Sequence, residues 1–178
     1  MRYSILIILS LTLCSGVRAQ DARNRELGLR FTGLEDFDLI YKKSLTEDTY
    51  RRYRFFTGQL TFIDVEGTSV GAFNAGASIG KETRRTIADR VQFVRGPEFF
   101  LSLGLSTTDD VFLATVQPGI GYVLGFLYQA SDHFLVGIET IPSVSLLYGN
   151  GDARVINFSA GFSSQAVALT AVYRFTNE

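Results

Sequence analysis

Beyond about residue 25, large apolar side chains alternate with small or polar ones at every second position. In residues 133–149, for example, Phe134 and Val136 alternate with Gly137 and Glu139. A period of two is typical of β-strands, whereas an amphipathic helix repeats its apolar residues every three to four positions. The sequence therefore predicts an all-β protein with eight strands. These are residues 26–34, 50–63, 69–80, 91–105, 111–128, 133–149, 154–162 and 166–175.

Two irregularities interrupt this alternation. In residues 50–63 the apolar side chains move from odd to even positions, which predicts a β-bulge near Thr57 and Gly58. In residues 133–149 the imino nitrogen of Pro142 cannot donate a hydrogen bond to a neighbouring strand. We therefore expect a bulge or a broken pairing at Pro142.

The length of the strands and their two faces indicate a membrane-spanning barrel. Several segments have 10 to 18 residues, whereas strands of soluble proteins usually have about five or six, and a tilted strand crosses a bilayer with about nine to eleven. One face carries mostly Gly, Ala and Ser, which suit the narrow interior of an eight-stranded barrel. We predict an eight-stranded antiparallel up-and-down transmembrane β-barrel with periplasmic termini. Two longer, charged connections, residues 35–49 and 81–90, are predicted as outer loops.

The first 19 residues have the features of a cleaved secretory signal peptide. Arg2 gives a positive start, residues 5–13 are mostly apolar, and Ala19 is a small residue at the cleavage site. The apolar run is too short for a membrane anchor. We therefore expect a signal peptide at residues 1–19 and one barrel domain at residues 20–178. The mature chain would contain no cysteine, and hence no disulfide.

Charged residues on the small-residue face predict an ion network inside the barrel. An isolated buried charge costs several kcal/mol, so each lumen charge needs a partner. We expect Glu139 to pair with an arginine from Arg30, Arg52, Arg54 or Arg174. Such a network could fill the lumen, and the alternative is a gated channel or a polar ligand site. The predicted members are Arg30, Arg52, Arg54, Glu98, Glu139 and Arg174.

Composition and motifs argue against catalysis and nucleic-acid binding. The chain has 17 basic and 18 acidic side chains, so no basic excess suggests nucleic acid. Some small outer-membrane barrels modify lipid A with a serine and a histidine base, but the same-face neighbour of the single histidine, His133, is Leu135. The sequence has no metal-ligand cluster and no phosphate loop. We expect no enzyme, no metal and no cofactor.

Several segments resemble the small outer-membrane β-barrel proteins common in Bacteroidota. They are LIYKKSLTEDTYRRYRF, GYVLGFLY, SDHFLVGIETIPSVSLLYG and FSSQAVALTAVYRF. The ending Tyr-Arg-Phe at residues 173–175 is similar to the signal that the outer-membrane assembly machinery recognises, although three residues follow it. The resemblance implies the outer membrane of a Gram-negative bacterium. It implies the fold as well, whereas the function of such proteins is mostly unassigned. We expect membrane lipid, lipopolysaccharide and the assembly machinery as partners.

The basic segment at residues 81–90 offers a possible contact with lipopolysaccharide. If this segment is an outer loop, its cations could bind lipopolysaccharide phosphates by charge-assisted hydrogen bonds. The predicted residues are Lys81, Arg84, Arg85 and Arg90. We expect a monomer with a structural or interaction role. The alternatives are a narrow pore for small solutes, a lipid-A-modifying enzyme, and a soluble secreted barrel whose apolar face points inward.

Overall fold

The computed structural model describes residues 24–33, 36–56, 60–65, 68–108, 111–152, 154–161 and 167–175. These residues form eleven strands in a single antiparallel sheet. Among them, no helix is long and apolar enough to span a membrane. The strands are β1 (Arg25–Phe31), β2 (Phe37–Thr46), β3 (Thr49–Phe56), β4 (Leu60–Val65), β5 (Thr68–Ala88), β6 (Val91–Thr108), β7 (Val111–Gln129), β8 (Phe134–Thr140), β9 (Ser143–Gly151), β10 (Val155–Gly161) and β11 (Ala168–Phe175).

The pairing of these strands closes the sheet into a barrel with eight wall strands. β3 and β4 both pair with β5, so together they form one interrupted wall strand. In the same way, β8 and β9 both pair with β7 and form another. β10 pairs with β9 and β11 pairs with β8, so these two also follow one another along the wall. β1 pairs with β2 on one side and β11 on the other. The predicted eight-stranded antiparallel up-and-down barrel is confirmed.

Two errors in the strand assignment cancel in that count. Residues 154–162 and 166–175 were predicted as two wall strands, but β10 and β11 occupy one. Residues 35–49 were predicted as an outer loop, but most of them form β2. The sequence conceals β2 because its lumen-facing positions include the charged Asp38 and Lys42 rather than small residues.

The second predicted outer loop, residues 81–90, is also wrong. β5 continues to Ala88, and a tight turn with Arg90 at a φ of 63° leads into β6. This turn lies at the end of the barrel where Arg25 pairs with Phe175, together with the β2–β3 and β7–β8 turns. We call this the terminal end, and the opposite end the far end. The segment can remain a strand although it is charged, because its charged side chains alternate between the two faces of the sheet.

The two irregular positions behave differently. β8 ends at Thr140 and β9 begins at Ser143, so the interruption expected at Pro142 is present. The bulge expected near Thr57 and Gly58 lies outside the described residues. On either side of it, Phe56 pairs with Gly76 and Leu60 pairs with Phe73, so the spacing along the two strands differs by one residue.

The large apolar side chains point away from the barrel axis, as the alternation predicts. Phe99, Ile120 and Leu169, for example, are 50, 63 and 58% exposed. The buried positions hold mostly small, polar or charged side chains. The buried apolar residues include Ile40, Val123 and a cluster formed by Val94, Leu127, Leu135 and Val172. This arrangement excludes the inward apolar face that the alternative of a soluble ligand-binding barrel requires.

The wall of the barrel has unequal height. β5 has 21 residues and β1 has seven, which correspond to about 70 Å and about 23 Å along the strand. β6 and β7 are nearly as long as β5. At the far end these strands continue beyond the point where Phe31 pairs with Phe37, so the wall there is high on one side and low at β1 and β2.

Candidate functional site in the barrel lumen

Six cationic and five anionic side chains among the described residues meet in the lumen. They come from β1, β2, β3, β5, β6, β8 and β11, because alternation places every second residue of each strand inside. All eleven are linked by ion pairs with N–O distances of 3.4 Å or less. We call this set the lumen network. The cations are Arg30, Lys42, Arg52, Arg54, Arg84 and Arg174, and the anions are Glu26, Asp38, Glu82, Glu98 and Glu139.

Arg52 joins the two halves of this network. Its Nη1 donates to Glu139 Oε2 at 2.7 Å and lies 3.4 Å from Glu82 Oε2. Its Nε lies 3.1 Å from Glu98 Oε2, an ion-pair contact that lacks hydrogen-bond alignment. The side chain of Arg52 is only 1% exposed. One guanidinium therefore holds three carboxylates from three different strands.

The half toward the terminal end is centred on Arg84. Its two Nη atoms donate to the two carboxylate oxygens of Glu26 at 2.9 and 2.6 Å, and its Nε donates to Glu82 at 2.8 Å. Lys42 Nζ pairs with Glu82 at 2.7 Å, and Arg174 Nε donates to Glu26 at 3.0 Å. Bidentate arginine–carboxylate pairs of this kind are among the stronger charged hydrogen bonds. The four charged side chains other than Arg174 are at most 2% exposed.

The half toward the far end is centred on Asp38. Arg30 Nη1 and Arg54 Nη1 both donate to Asp38 Oδ2, at 3.2 and 2.9 Å. Arg30 also donates from Nε to Glu139 at 2.7 Å, and Arg54 donates from Nη2 to Glu98 at 2.6 Å. Each of these two arginines thus contacts two carboxylates.

Above this half, a cavity of about 430 Å³ opens toward the far end. We call it the far-end cup. Arg30, Arg54 and Asp38 line its base. Its walls carry the amides Asn74 and Gln117, hydroxyl side chains, and the rings of Phe56 and Phe100, whose centroids are 6.5 Å apart. The Arg54 guanidinium lies 4.1 Å from the centre of the Phe56 ring. The cup therefore combines charge, neutral polar groups and aromatic surface.

Below the cup, charged and apolar side chains project into the lumen. The lumen network occupies its middle, and the cluster of Val94, Leu127, Leu135 and Val172 contributes the apolar packing toward the terminal end. Because the described ion-pair atoms contact one another directly, an ion that passed through would have to separate buried pairs. Removing the partner of a buried charge costs about 3–5 kcal/mol.

The six residues predicted for the lumen all face inward. Five of them, Arg30, Arg52, Arg54, Glu98 and Glu139, lie together in the half toward the far end or at its junction. Glu139 takes Arg30 and Arg52 as its partners. Arg54 instead pairs with Glu98 and Asp38, and Arg174 pairs with Glu26 at the other end of the network.

Sequence reasoning missed five members of the network. Asp38 and Lys42 lie on β2, and Glu82 and Arg84 lie in the second segment read as a loop. A usable signal was present, because the even positions 74–84 continue one alternating pattern through Ser78. Glu26 is the first residue of the first predicted strand.

The residues predicted to contact lipopolysaccharide do not form a loop. Arg84 is buried in the lumen network, so it cannot reach a lipid surface. Lys81 and Arg85 are exposed on β5, and Arg90 is exposed in the turn at the terminal end. The alternation that turns Arg84 inward sends its neighbour Arg85 outward.

The single histidine of the sequence contacts the last strand. His133 lies just before β8, where its Nδ1 is 3.2 Å from the backbone oxygen of Arg174 and its ring stacks on Tyr173. No group of three or more His, Cys, Asp or Glu side chains in the described ranges is arranged to hold a metal ion. The histidine therefore connects the β7–β8 turn to β11.

Comparisons with solved structures return outer-membrane and surface proteins. Ail, the attachment invasion locus protein of Yersinia pestis, is 11% identical over 88% of this chain and 100% of its own, with a TM-score of 0.48. A major outer membrane protein from Thermus thermophilus is 12% identical over 87% and 100%, with a TM-score of 0.48. Neisserial surface protein A is 13% identical over 87% and 94%, with a TM-score of 0.43. No protein-family model and no curated protein matches the sequence. The fold is therefore assigned from the strand pairings of this chain itself.

Proposed function

We propose that the chain is an integral outer-membrane β-barrel of a Gram-negative bacterium, with an occluded lumen and a structural or interaction role without catalysis. One observation carries this proposal. The buried interior is largely ionic, whereas the outer surface of the wall is largely apolar. A soluble protein would show the opposite arrangement, with apolar side chains buried and charged side chains in water. Burying a charge costs free energy, and a charge on a lipid-facing surface would cost free energy as well.

The outer surface supports placement in lipid. Phe99, Leu101 and Leu103 are all at least 40% exposed on one strand, and such continuous apolar surface is rare on soluble monomers. A closed barrel also satisfies the backbone hydrogen bonds that lipid cannot. We place the terminal end in the periplasm and the far end outside the cell. Membrane lipid, lipopolysaccharide and the assembly machinery are the proposed partners.

The paired charges in the lumen support a role that does not depend on conduction. Arg52 contacts both Glu98 and Glu139 across the lumen, so paired charges lie in the pathway below the far-end cup. The alternative of a narrow pore for small solutes requires these pairs to separate. In the proposed orientation, Lys81, Arg85 and Arg90 lie toward the periplasmic side, away from lipopolysaccharide.

Cell fractionation combined with heat-modifiable gel migration tests the membrane placement. We expect the protein in the outer-membrane fraction, with faster migration before boiling than after, because a closed barrel resists unfolding by the gel detergent. Recovery in a soluble fraction, with the same migration in both samples, would contradict the proposal.

Conductance across a planar lipid bilayer tests the occluded lumen. We expect no stable conductance steps from the folded protein. If stable steps occur and change in Glu139→Gln, the lumen is a pore lined by Glu139. The matched control is Glu47→Gln, because Glu47 is exposed in the β2–β3 turn. Equal currents from both variants would indicate leakage around the barrel.

A further inference from the structure

We infer that the far-end cup is a binding site for a neutral saccharide, either free or carried as the headgroup of a glycolipid. This inference goes beyond the proposed function, since an occluded barrel needs no ligand. It rests on the volume of the cup, the balance of its charges and the chemistry of its walls. A volume of about 430 Å³ lies within the range of about 300–1,000 Å³ that is usual for small-molecule sites.

The charges of the cup favour a neutral ligand. Two arginines, Arg30 and Arg54, line it together with two aspartates, Asp36 and Asp38. Both arginines contact Asp38, and each has a second carboxylate partner in Glu139 or Glu98. An anionic ligand would have to compete with these carboxylates, and a cationic ligand would have to compete with the arginines. The balanced base therefore gives no net attraction to an ion.

The walls favour a ligand with many hydroxyl groups. The side-chain amide of Asn74 offers both donors and an acceptor. Gln117 Nε2 donates to Ser145 Oγ at 2.9 Å, which leaves its second N–H and its oxygen for a ligand, and Ser102 and Ser143 add hydroxyls. A sugar hydroxyl likewise donates and accepts, so neighbouring hydroxyls can pair with one amide. Asn74 is exposed on its strand. Its amide can therefore bind a ligand without first breaking a hydrogen bond to a buried group.

Aromatic surface complements those polar groups. Phe56 and Phe100 form an edge-to-face pair that lines the cup. The C–H face of a pyranose ring is apolar and can pack on such a ring, while the hydroxyls at its edge reach the amides and hydroxyls of the wall. A ligand that is both polyhydroxylated and neutral, with one apolar face, fits this combination.

Beside the low part of the wall, the structure accommodates the saccharide in two forms, attached to a lipid or free. Outside the barrel, a second cavity of about 480 Å³ is lined by Phe31, Val167 and Leu169, and it shares Thr32 with the cup. An alkyl chain in this outer cavity could accompany a sugar headgroup in the cup. A free saccharide would use the cup alone.

Titration of the folded protein with maltose tests the site. The protein is held in lauryldimethylamine oxide micelles, which carry no sugar, and its barrel is first verified by heat-modifiable migration, so loss of the fold is distinguished from loss of binding. We expect saturable NMR shifts of the Asn74 and Gln117 side-chain amides. Asn74→Ala should weaken maltose binding about threefold to tenfold, the loss of one or two hydrogen bonds. Asn157→Ala, a matched exposed asparagine on β10, should leave it unchanged.

Three further ligands, glucose, glucose 6-phosphate and dodecyl maltoside, distinguish the charge and the source of the saccharide. Glucose 6-phosphate should bind no more tightly than glucose. Dodecyl maltoside that binds more tightly than maltose, with the gain lost in Leu169→Ser, identifies a glycolipid headgroup, whereas equal binding identifies a free saccharide. The inference is overturned if maltose gives no saturable shifts up to its solubility limit, if Asn74→Ala and Asn157→Ala behave alike, or if the phosphate ester binds more tightly.

Discussion

At the terminal end, all eight wall strands surround buried, paired charges of the lumen network. At the far end, β5, β6 and β7 continue beside a low wall and leave a cup. Both regions follow the same alternation of inward and outward residues. They differ in what stands across the lumen. Where opposite walls are present, inward charges such as those of Arg84 and Glu26 find one another, and where one wall is low, inward side chains such as Asn74 remain available. The same sequence pattern can therefore build a network of paired charges or an open site.

The largest expected effect is the loss of the guanidinium that joins the two halves of the lumen network. Arg52→Met leaves Glu82, Glu98 and Glu139 with fewer partners in a buried place. We expect the free energy of unfolding to fall by about 3–5 kcal/mol, measured by urea unfolding in lipid vesicles. Arg51→Met on the same strand is the control, because Arg51 is exposed. An equal loss in both variants would contradict the role of the network.

A smaller effect is expected from the apolar cluster near the terminal end. Leu135 is fully buried there, so Leu135→Ala should lower the free energy of unfolding by about 2–5 kcal/mol through lost contacts and a cavity. Leu101→Ala removes the same atoms from the lipid-facing side, where Leu101 is 40% exposed and lipid can fill the space. If Leu101→Ala costs as much as Leu135→Ala in the urea measurement, the lumen is not packed as described.

The smallest effects should separate the filled and open regions directly. In Gly137→Ala, the new methyl group would lie 2.5 Å from the backbone oxygen of Phe126 and 2.6 Å from Leu127, and overpacking of this kind costs about 1–3 kcal/mol. In Gly119→Ala, the methyl group would meet only the Phe100 ring among its three nearest atoms. That ring can move into the cup, so we expect a loss below about 1 kcal/mol and weaker maltose binding. Comparable destabilisation in the two variants would show that the cup is as tightly packed as the terminal end.

The barrel could be predicted from the sequence because large apolar side chains alternate with small or polar ones wherever one face of a strand contacts lipid. The positions of Phe134, Val136 and Ile138 require only this local rule, and so do the inward positions of Arg30 and Glu139. The strand count was correct for a weaker reason, since the missed strand Phe37–Thr46 was offset by counting Val155–Gly161 and Ala168–Phe175 separately.

Partners across the lumen could not be predicted in the same way. Which carboxylate meets Arg54 depends on the stagger of the strands around the barrel, and alternation along one strand carries no information about that stagger. Lys42 was missed because a strand with charged residues on its inward face resembles a charged loop. The far-end cup was missed because it results from unequal strand lengths, which become visible only when each strand has its neighbours.

Glu26 adds a consequence for the order of assembly. Its carboxylate accepts a hydrogen bond from Arg174, 148 positions away along the chain, where β1 meets β11. Contacts between such distant positions form slowly, because the entropy of closing a long loop must be lost before the contact stabilises anything. Until the final strand arrives, the acid on the first strand lacks this partner. Charge neutralisation inside the barrel is therefore completed only by the same step that seals its seam.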